Sequence, residues 1–366
     1  MNTEDKNKYL VCVRCYTFNH ANYIEDAMNG FTMQETTFPF VCTIVDDAST
    51  DGEQEVIKNY LKEHFVLDDN ETVRNEETDD YVLTFAQHKT NRNCYFAVLF
   101  LKYNHHSIKR PKKHYIKEWI ENIKYIAHCE GDDYWINPQK LQKQVDVLEA
   151  NPGFTMVCNR TKLYSERQKK YIGENYCYDK SQVVRPKDVI YRTGVYISTC
   201  SVVYRKELRD NIPDYWKKCK VGDYPLHIMC AMKGKVYYLN DIMSVYRVQI
   251  ANSWTGQQKW GKLDEGRIAV IKSRINMFKG FAKDFPKYKK YFKNKVANEI
   301  TRNIPFKQSQ QDIDKYLELF SEDIKRFGWA QKLDQWMRRN GRGRFKIYFL
   351  KYFQEKFEQR RIFYDS

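Results

Sequence analysis

The run Phe40 to Val45 is apolar throughout and stops abruptly in Asp46-Asp47-Ala48-Ser49-Thr50-Asp51-Gly52. A strand without an alternating polar face must be covered on both sides, which is the condition of a strand inside a parallel sheet flanked by helices. A similar unit precedes it. Residues 9–15 (YLVCVRC) read as a strand that enters the loop Tyr16-Thr17-Phe18-Asn19-His20. A helix follows, with Ile24, Ala27, Met28 and Phe31 on its apolar face and Asn22 as its cap. Val56, Ile57, Tyr60 and Leu61 mark a second helix after the acidic loop. Strand, loop, helix, strand, loop, helix predicts an α/β fold with a mostly parallel sheet.

Further along, the acidic stretch Asp68 to Asp80 reads as an exposed loop, Tyr81 to Ala86 as a strand and Tyr95 to Tyr103 as a helix. The basic insertion Lys109-Arg110-Pro111-Lys112-Lys113 reads as a solvated loop. Lys124 to Cys129 is a strand that runs directly into Glu130-Gly131-Asp132-Asp133. Asn137-Pro138 opens a helix, with Asn as cap and Leu141, Val145 and Leu148 on one face. Phe154 to Cys158, Ser198 to Tyr204, Val236 to Leu239 and Ile242 to Tyr246 read as strands, and Asp223 precedes a helical pattern that ends at Gly234. Beyond about Gln257 the patterns are helical, basic and aromatic. The organisation expected is one α/β domain over 1–255 and a helical region over 256–366.

Charge follows the same division. The chain carries a net +15, yet the residues before Thr255 are near neutral and almost all the excess lies beyond it. A basic tail region on a neutral body points to an anionic surface met by the C-terminal part, not to a protein that coats nucleic acid. The apolar run Tyr95 to Leu101 is too short to span a bilayer, and no signal-like segment opens the sequence, so the expectation is a cytoplasmic protein. Cys12 and Cys15 have C-x-x-C spacing, but in a strand residues three apart point to opposite faces, so reduced, buried thiols are expected.

Open parallel sheets bind ligands at the C-terminal ends of their strands. Three polar clusters fall at such ends: Thr17-Phe18-Asn19, Asp46-Asp47 and Asp132-Asp133. Neither a G-x-G-x-x-G nor a G-x-x-x-x-G-K-[ST] loop is present to cradle phosphates. Carboxylates at strand ends can instead hold a diphosphate through Mg2+ or Mn2+, which prefer oxygen ligands and share them with phosphates.

The segments VCVRCYTFNHANYIEDAM and FVCTIVDDASTDG, then AHCEGDDYWINPQKLQKQVDVLE and GDYPLHIMCAMKG, together resemble the family 2 glycosyltransferases over roughly residues 8–254. That resemblance implies a GT-A fold and an inverting, metal-dependent transfer from a nucleotide-activated sugar. It places Thr17 and Asn19 in the loop lining the nucleotide pocket, Asp47 on the base with Asp46 beside it, and Asp132 at the ribose and diphosphate. Asp133 is implied as ligand of Mn2+ or Mg2+ and Asp223 as general base. Arg247, with Ser253 and Trp254, matches a segment near the diphosphate, although Gln249 stands where a histidine is usual, and Tyr16 replaces a proline.

The implied partners are a nucleotide-sugar donor, with a UDP-sugar as first expectation, and a glycan or polyprenyl-linked acceptor of bacterial surface polysaccharide synthesis. Asp223 is equally suited to cap the helix it precedes, and the Asp46 to Gly52 turn to cap the second helix. Phe345, Phe349, Phe353 and Phe357 form a stripe among lysines and arginines, suited either to an anionic membrane surface or to packing on the body. A sugar-phosphate nucleotidyltransferase, with a related sheet, and a non-catalytic nucleotide-sugar binder are the competing readings.

Overall fold

The computed structural model describes residues 9–69, 72–192, 197–250, 264–305 and 309–326. The stripe from Phe345 onward, Ser253 and Trp254 lie outside the described residues. Contacts divide the chain into two compact units, one of Met1–Asn211 with Leu226–Val248, the other of Ile212–Pro225 with Gln249–Ser366.

The first unit is built on a mixed sheet of twelve strands among the described residues. The chain begins β1 (Val11–Thr17), α1 (Ile24–Thr32), β2 (Phe40–Asp46), α2 (Glu53–His64), β3 (Arg74–Glu77), β4 (Tyr81–Gln87) and β5 (Cys94–Leu101). It continues α3 (Lys117–Ile120), β6 (Tyr125–His128), β7 (Tyr134–Trp135), α4 (Lys140–Ala150), β8 (Phe154–Ser165), β9 (Lys170–Asn175), β10 (Gln182–Val184), α5 (Pro186–Tyr191) and β11 (Val203–Arg205). After α6 (Asp214–Lys217) and α7 (Asp223–Lys233) of the later chain comes β12 (Lys235–Val248). The sheet order is β10-β12-β8-β11-β6-β1-β2-β5-β4-β3, with β7 paired to β12 and β9 to β8.

Its centre is the parallel quartet β5-β2-β1-β6. All seven residues of β2 and all eight of β5 are buried, as expected of strands covered on both faces. Ile24, Ala27, Met28 and Phe31 of α1 form the buried stripe read from the sequence, and Phe31 packs edge-on against Trp135 at 5.1 Å. A Cβ at Gly30 would sit 2.8 Å from the Trp135 amide nitrogen, so this glycine sets the close approach of α1 to β7.

Several expectations are corrected. Residues 94–101 are strand β5, not a helix: the apolar residues run without a break and every one is buried, so no helical polar face exists to distinguish the two. The acidic stretch 68–80 contains β3, a sheet-edge strand whose residues alternate in exposure. Asn22 makes no cap, since α1 starts after Tyr23 without a side-chain cap bond. Asn137 lies before the helix it was expected to cap, its Oδ1 accepting from the Gln139 amide at 2.8 Å, and α4 starts at Lys140. Of the expected 198–204 strand only Val203 and Tyr204 belong to a strand, β11, which follows a 3-10 turn at Thr199–Ser201. The two strands expected near the end are one strand, β12, interrupted by a register shift between Leu239 and Ile242.

The second unit gathers α6 and the start of α7 with α8 (Glu265–Asp284), α9 (Lys289–Arg302), α10 (Gln310–Leu319) and α11 (Ser321–Arg326). Phe281 of α8 stacks on Phe292 of α9 at 5.6 Å, and Tyr215 of α6 reaches Asp284 at 2.7 Å. Asp264 caps α8 and Ser309 caps α10, each through its side chain. None of the described helices is long and apolar enough to cross a membrane.

Candidate active site

From β1 the chain crosses to β2 and then β5 on one side, and only later returns to lay β6 on the other side of β1. The direction of winding reverses between β1 and β6, the place in an open α/β sheet where ligands bind at the C-terminal strand ends. The turn after β6 meets the loop after β1 closely: Gly131 donates its amide to the Tyr16 carbonyl at 3.2 Å. A Cβ on Gly131 would overlap the Thr17 hydroxyl and come within 2.7 Å of Thr17 Cβ, so only glycine fits.

Thr17 and Asn19 are held by the loop after β2. Glu53, buried at the start of α2, accepts from the Thr17 hydroxyl, from the His20 amide at 2.9 Å and from Ser49 Oγ at 2.7 Å. Burial pushes its carboxyl above the usual range against these three bonds. Asn19, with φ of 56°, donates its amide to Ser49 Oγ at 2.8 Å and accepts from the Thr50 amide at 2.8 Å. Glu53 is absent from the residues expected at the site. An acidic residue in the first turn of a helix is ordinary dipole compensation, and nothing in its spacing shows that it turns back onto two loops.

Asp46 is fully buried, with Oδ2 accepting from the Ser49 amide at 3.2 Å and Gln54 Nε2 at 2.6 Å. Its Oδ1 has no partner among the described residues, and burial raises its pKa. Asp47 is 1% exposed and saturated. It accepts from the amides of His105 at 2.8 Å and His106 at 3.1 Å and from Lys112 Nζ at 2.8 Å. Of the basic insertion Lys112 is docked, lying also over the Tyr16 ring at 5.4 Å, while Lys109, Arg110, Pro111 and Lys113 are exposed as expected, with Arg110 bonded to Asp80 at 2.6 and 3.0 Å. A buried carboxylate at a strand end requires such partners, here a pairing between residues some sixty positions apart that composition alone does not reveal.

In the acidic turn the two aspartates face different ways. Asp133 is 1% exposed, and its Oδ1 accepts from the Arg247 amide at 2.9 Å. Burial, then the adjacent Asp132 carboxylate, raise its pKa well above the ordinary value. Asp132 keeps a fifth of its side chain exposed, and its Oδ2 lies 3.9 Å from His20 Nε2. Glu130 is pushed up to about 7 by burial and then by Asp132.

Arg247, near the end of β12, binds this turn. Its Nη1 donates to the Asp132 carbonyl at 2.9 Å, its Nη2 meets Asp26 and its Nε lies 3.1 Å from Glu166. The guanidinium sits over Tyr23 at 5.1 Å and Tyr134 at 4.4 Å. These residues and Lys169 line a cleft of about 440 Å³.

The structure thus brings Thr17 and Asn19 to the Asp46–Gly52 loop, and Asp132 and Asp133 to Arg247. Asp223 opens α7 in the second unit, half-buried. Among the described residues no three His, Cys, Asp or Glu side chains converge on a preformed metal site.

Comparison with known proteins bears on the fold. No family model matches the chain. An uncharacterised protein of Mycobacterium bovis and its counterparts in two strains of Mycobacterium tuberculosis are 27% identical over 271 residues, 72% of this chain and 67% of theirs. The crystal structure of S. aureus TarS 1-349 in complex with UDP covers 86% of this chain and 80% of its own, with a TM-score of 0.52 and 14% identity. The mannosyltransferase PcManGT from Pyrobaculum calidifontis, in complex with GDP-Man and Mn2+, covers 86% and 76%, with a TM-score of 0.48 and 14% identity. The fold is mixed α/β, with a large central sheet and added C-terminal helices, and is similar to that of the GT-A glycosyltransferases.

Proposed function

We propose that the chain transfers a sugar from a nucleotide-activated donor to a hydroxyl of a glycan or lipid-linked acceptor by an inverting single displacement. The observation that carries this is the acidic turn at the reversal of winding between β1 and β6, where a partly exposed Asp132 adjoins a buried Asp133. Such a strand-end site, edged by carboxylates and without a glycine cradle, suits a diphosphate held through a divalent cation.

The residues present fit such a cation. Glu130, Asp132 and Asp133 crowd negative charge, which adds to burial, the larger cause, in raising the pKa values of Glu130 and Asp133. Mn2+ or Mg2+ would be held by Asp132 and Asp133 together with the donor, and would stabilise the departing nucleoside diphosphate. Thr17 and Asn19 shape the loop over the nucleotide, and Asp46 and Asp47 form the wall beside it. Arg247 fixes both aspartates through its amide and guanidinium. Asp223 takes the proton from the acceptor hydroxyl as it attacks the anomeric carbon. A UDP-sugar donor, a surface polysaccharide as product and work at the inner face of the cytoplasmic membrane belong to the same reading.

The test is thermal unfolding with UDP-, GDP-, CMP- and dTDP-sugars, each with and without Mn2+. Metal-dependent stabilisation by one nucleotide class is expected. Stabilisation by none of them overturns the reading, and release of pyrophosphate from a nucleoside triphosphate and a sugar phosphate would replace it with nucleotidyl transfer.

A further inference from the structure

The hairpin of β8 and β9 carries a surface that the proposed donor site does not use. From Arg160 to Ser165 the burial alternates: Arg160, Lys162 and Tyr164 face outward, while Thr161, Leu163 and Ser165 are buried. The antiparallel register sets Glu174 opposite Lys162 and Tyr171 opposite Tyr164. Large aromatic side chains usually find cover, yet Tyr171 is 51% exposed and Tyr176, just past β9, is 44% exposed.

These rings and the cations beside them lie along one strip. Tyr164 and Tyr171 meet edge-on at 5.4 Å, Lys162 lies 5.0 Å from the Tyr171 ring and Arg160 lies 4.8 Å from that of Tyr176. The Tyr171 hydroxyl is 3.3 Å from that of Tyr134, which lines the cleft below Arg247. The strip therefore leads into that cleft, over about 13 Å along β8.

Its chemistry narrows the occupant. Aromatic faces together with cations would also suit a nucleic acid, which needs unpaired positive charge along its backbone. Here Arg160 is paired with Glu174, and at the cleft end Arg247 is paired with Asp26 and Glu166. With both arginines paired and Lys162 set on the Tyr171 ring, exposed ring faces flanked by hydrogen-bonding groups instead match sugar rings, which present C–H faces to aromatics and hydroxyls to charged side chains.

We propose that the outward face of the β8–β9 hairpin binds a glycan chain and leads it to the Arg247 cleft as the acceptor. The acceptor role rests on the glycosyl-transfer reading; the binding surface does not.

The experiment applies the full-length chain to an array of bacterial oligosaccharides and polysaccharides. Three proteins are compared: wild type, a Tyr171→Ala/Tyr176→Ala double variant and Tyr171→Trp. Wild type should bind a restricted set of glycans, the double variant should bind them at least tenfold more weakly, and Tyr171→Trp should retain binding. Unfolding midpoints check that the double variant is folded, and light scattering follows oligomeric state. The proposal is overturned if wild type binds no glycan or if the double variant binds as well as wild type. It is also overturned if the substitutions disrupt a complex between copies of the chain and leave glycan binding intact. Tyrosine-dependent glycan binding by a wild type that no nucleotide-sugar stabilises would sink the transfer reading and leave this surface standing.

Discussion

The backbone amide of Arg247 donates to Asp133 Oδ1 at 2.9 Å, so the last residues of β12 are fastened directly to the acidic turn after β6. The side chain of the same arginine fastens that turn a second time, through the Asp132 carbonyl at 2.9 Å. One residue thus fixes both aspartates, Asp133 by its backbone and Asp132 by its side chain.

Arg247→Ala should cost about 1–3 kcal/mol, read as a lower urea midpoint, because it leaves the Asp132 carbonyl without its donor and the buried Glu166 carboxylate with Lys169 alone. Metal-dependent donor binding should fall with it. Arg247→Lys should recover less than half of the loss, since one ammonium cannot reach Asp26, Glu166 and the Asp132 carbonyl together.

Gly131→Ala should weaken donor binding without removing any ionisable group. The added methyl meets a threonine that Glu53 holds in place, so the turn itself must move away from β1. A stability loss of about 1–3 kcal/mol is expected. Equal donor affinity in wild type and variant would show that the approach of the two loops does not matter.

Lys140 is fully buried beside the Trp135 ring at 4.2 Å and donates to Gln144 at 2.7 Å. Desolvation lowers its pKa to about 7. Above that value the unfolded chain holds a proton that the folded chain lacks, so stability should rise as pH increases from about 7 towards 10. Below about 7 both states are protonated and the slope vanishes. Lys140→Met should flatten this rise, as measured by urea midpoints across the range.

Asp133→Ala should abolish the Mn2+-dependent shift in donor thermal stabilisation. Asp223→Asn should keep that shift and lose at least a hundredfold in transfer to acceptor. Transfer by Asp223→Asn at the wild-type rate would place the base on another residue.

The parallel centre was legible because two-sided burial leaves a mark in composition: β1, β2 and β6 appear as short apolar runs that end in polar clusters. The same mark failed for β5, whose unbroken apolar residues fit a buried helix equally well. Thr17, Asn19, Asp46, Asp47, Asp132 and Asp133 could be listed from their places at strand ends, and the resemblance supplied Asp223 and Arg247. Glu53 and Lys112 could not be found that way. Their parts depend on bonds to residues far away in sequence, Thr17 and Asp47 among them, and a single sequence carries no record of such pairings.

All ten cysteines are free, and nine of them are buried, in β1, β2, β5, β8, α7 and the turns between elements. Burial raises the thiols of Cys15, Cys42, Cys129 and Cys200 well above their ordinary range, and the thiolate is the form that reacts. An alkylating reagent can therefore reach these sulfurs only when the surrounding segment opens. The chain carries a built-in set of clocks: timed by mass spectrometry, the order in which its thiols are tagged would give the order in which its sheet comes apart.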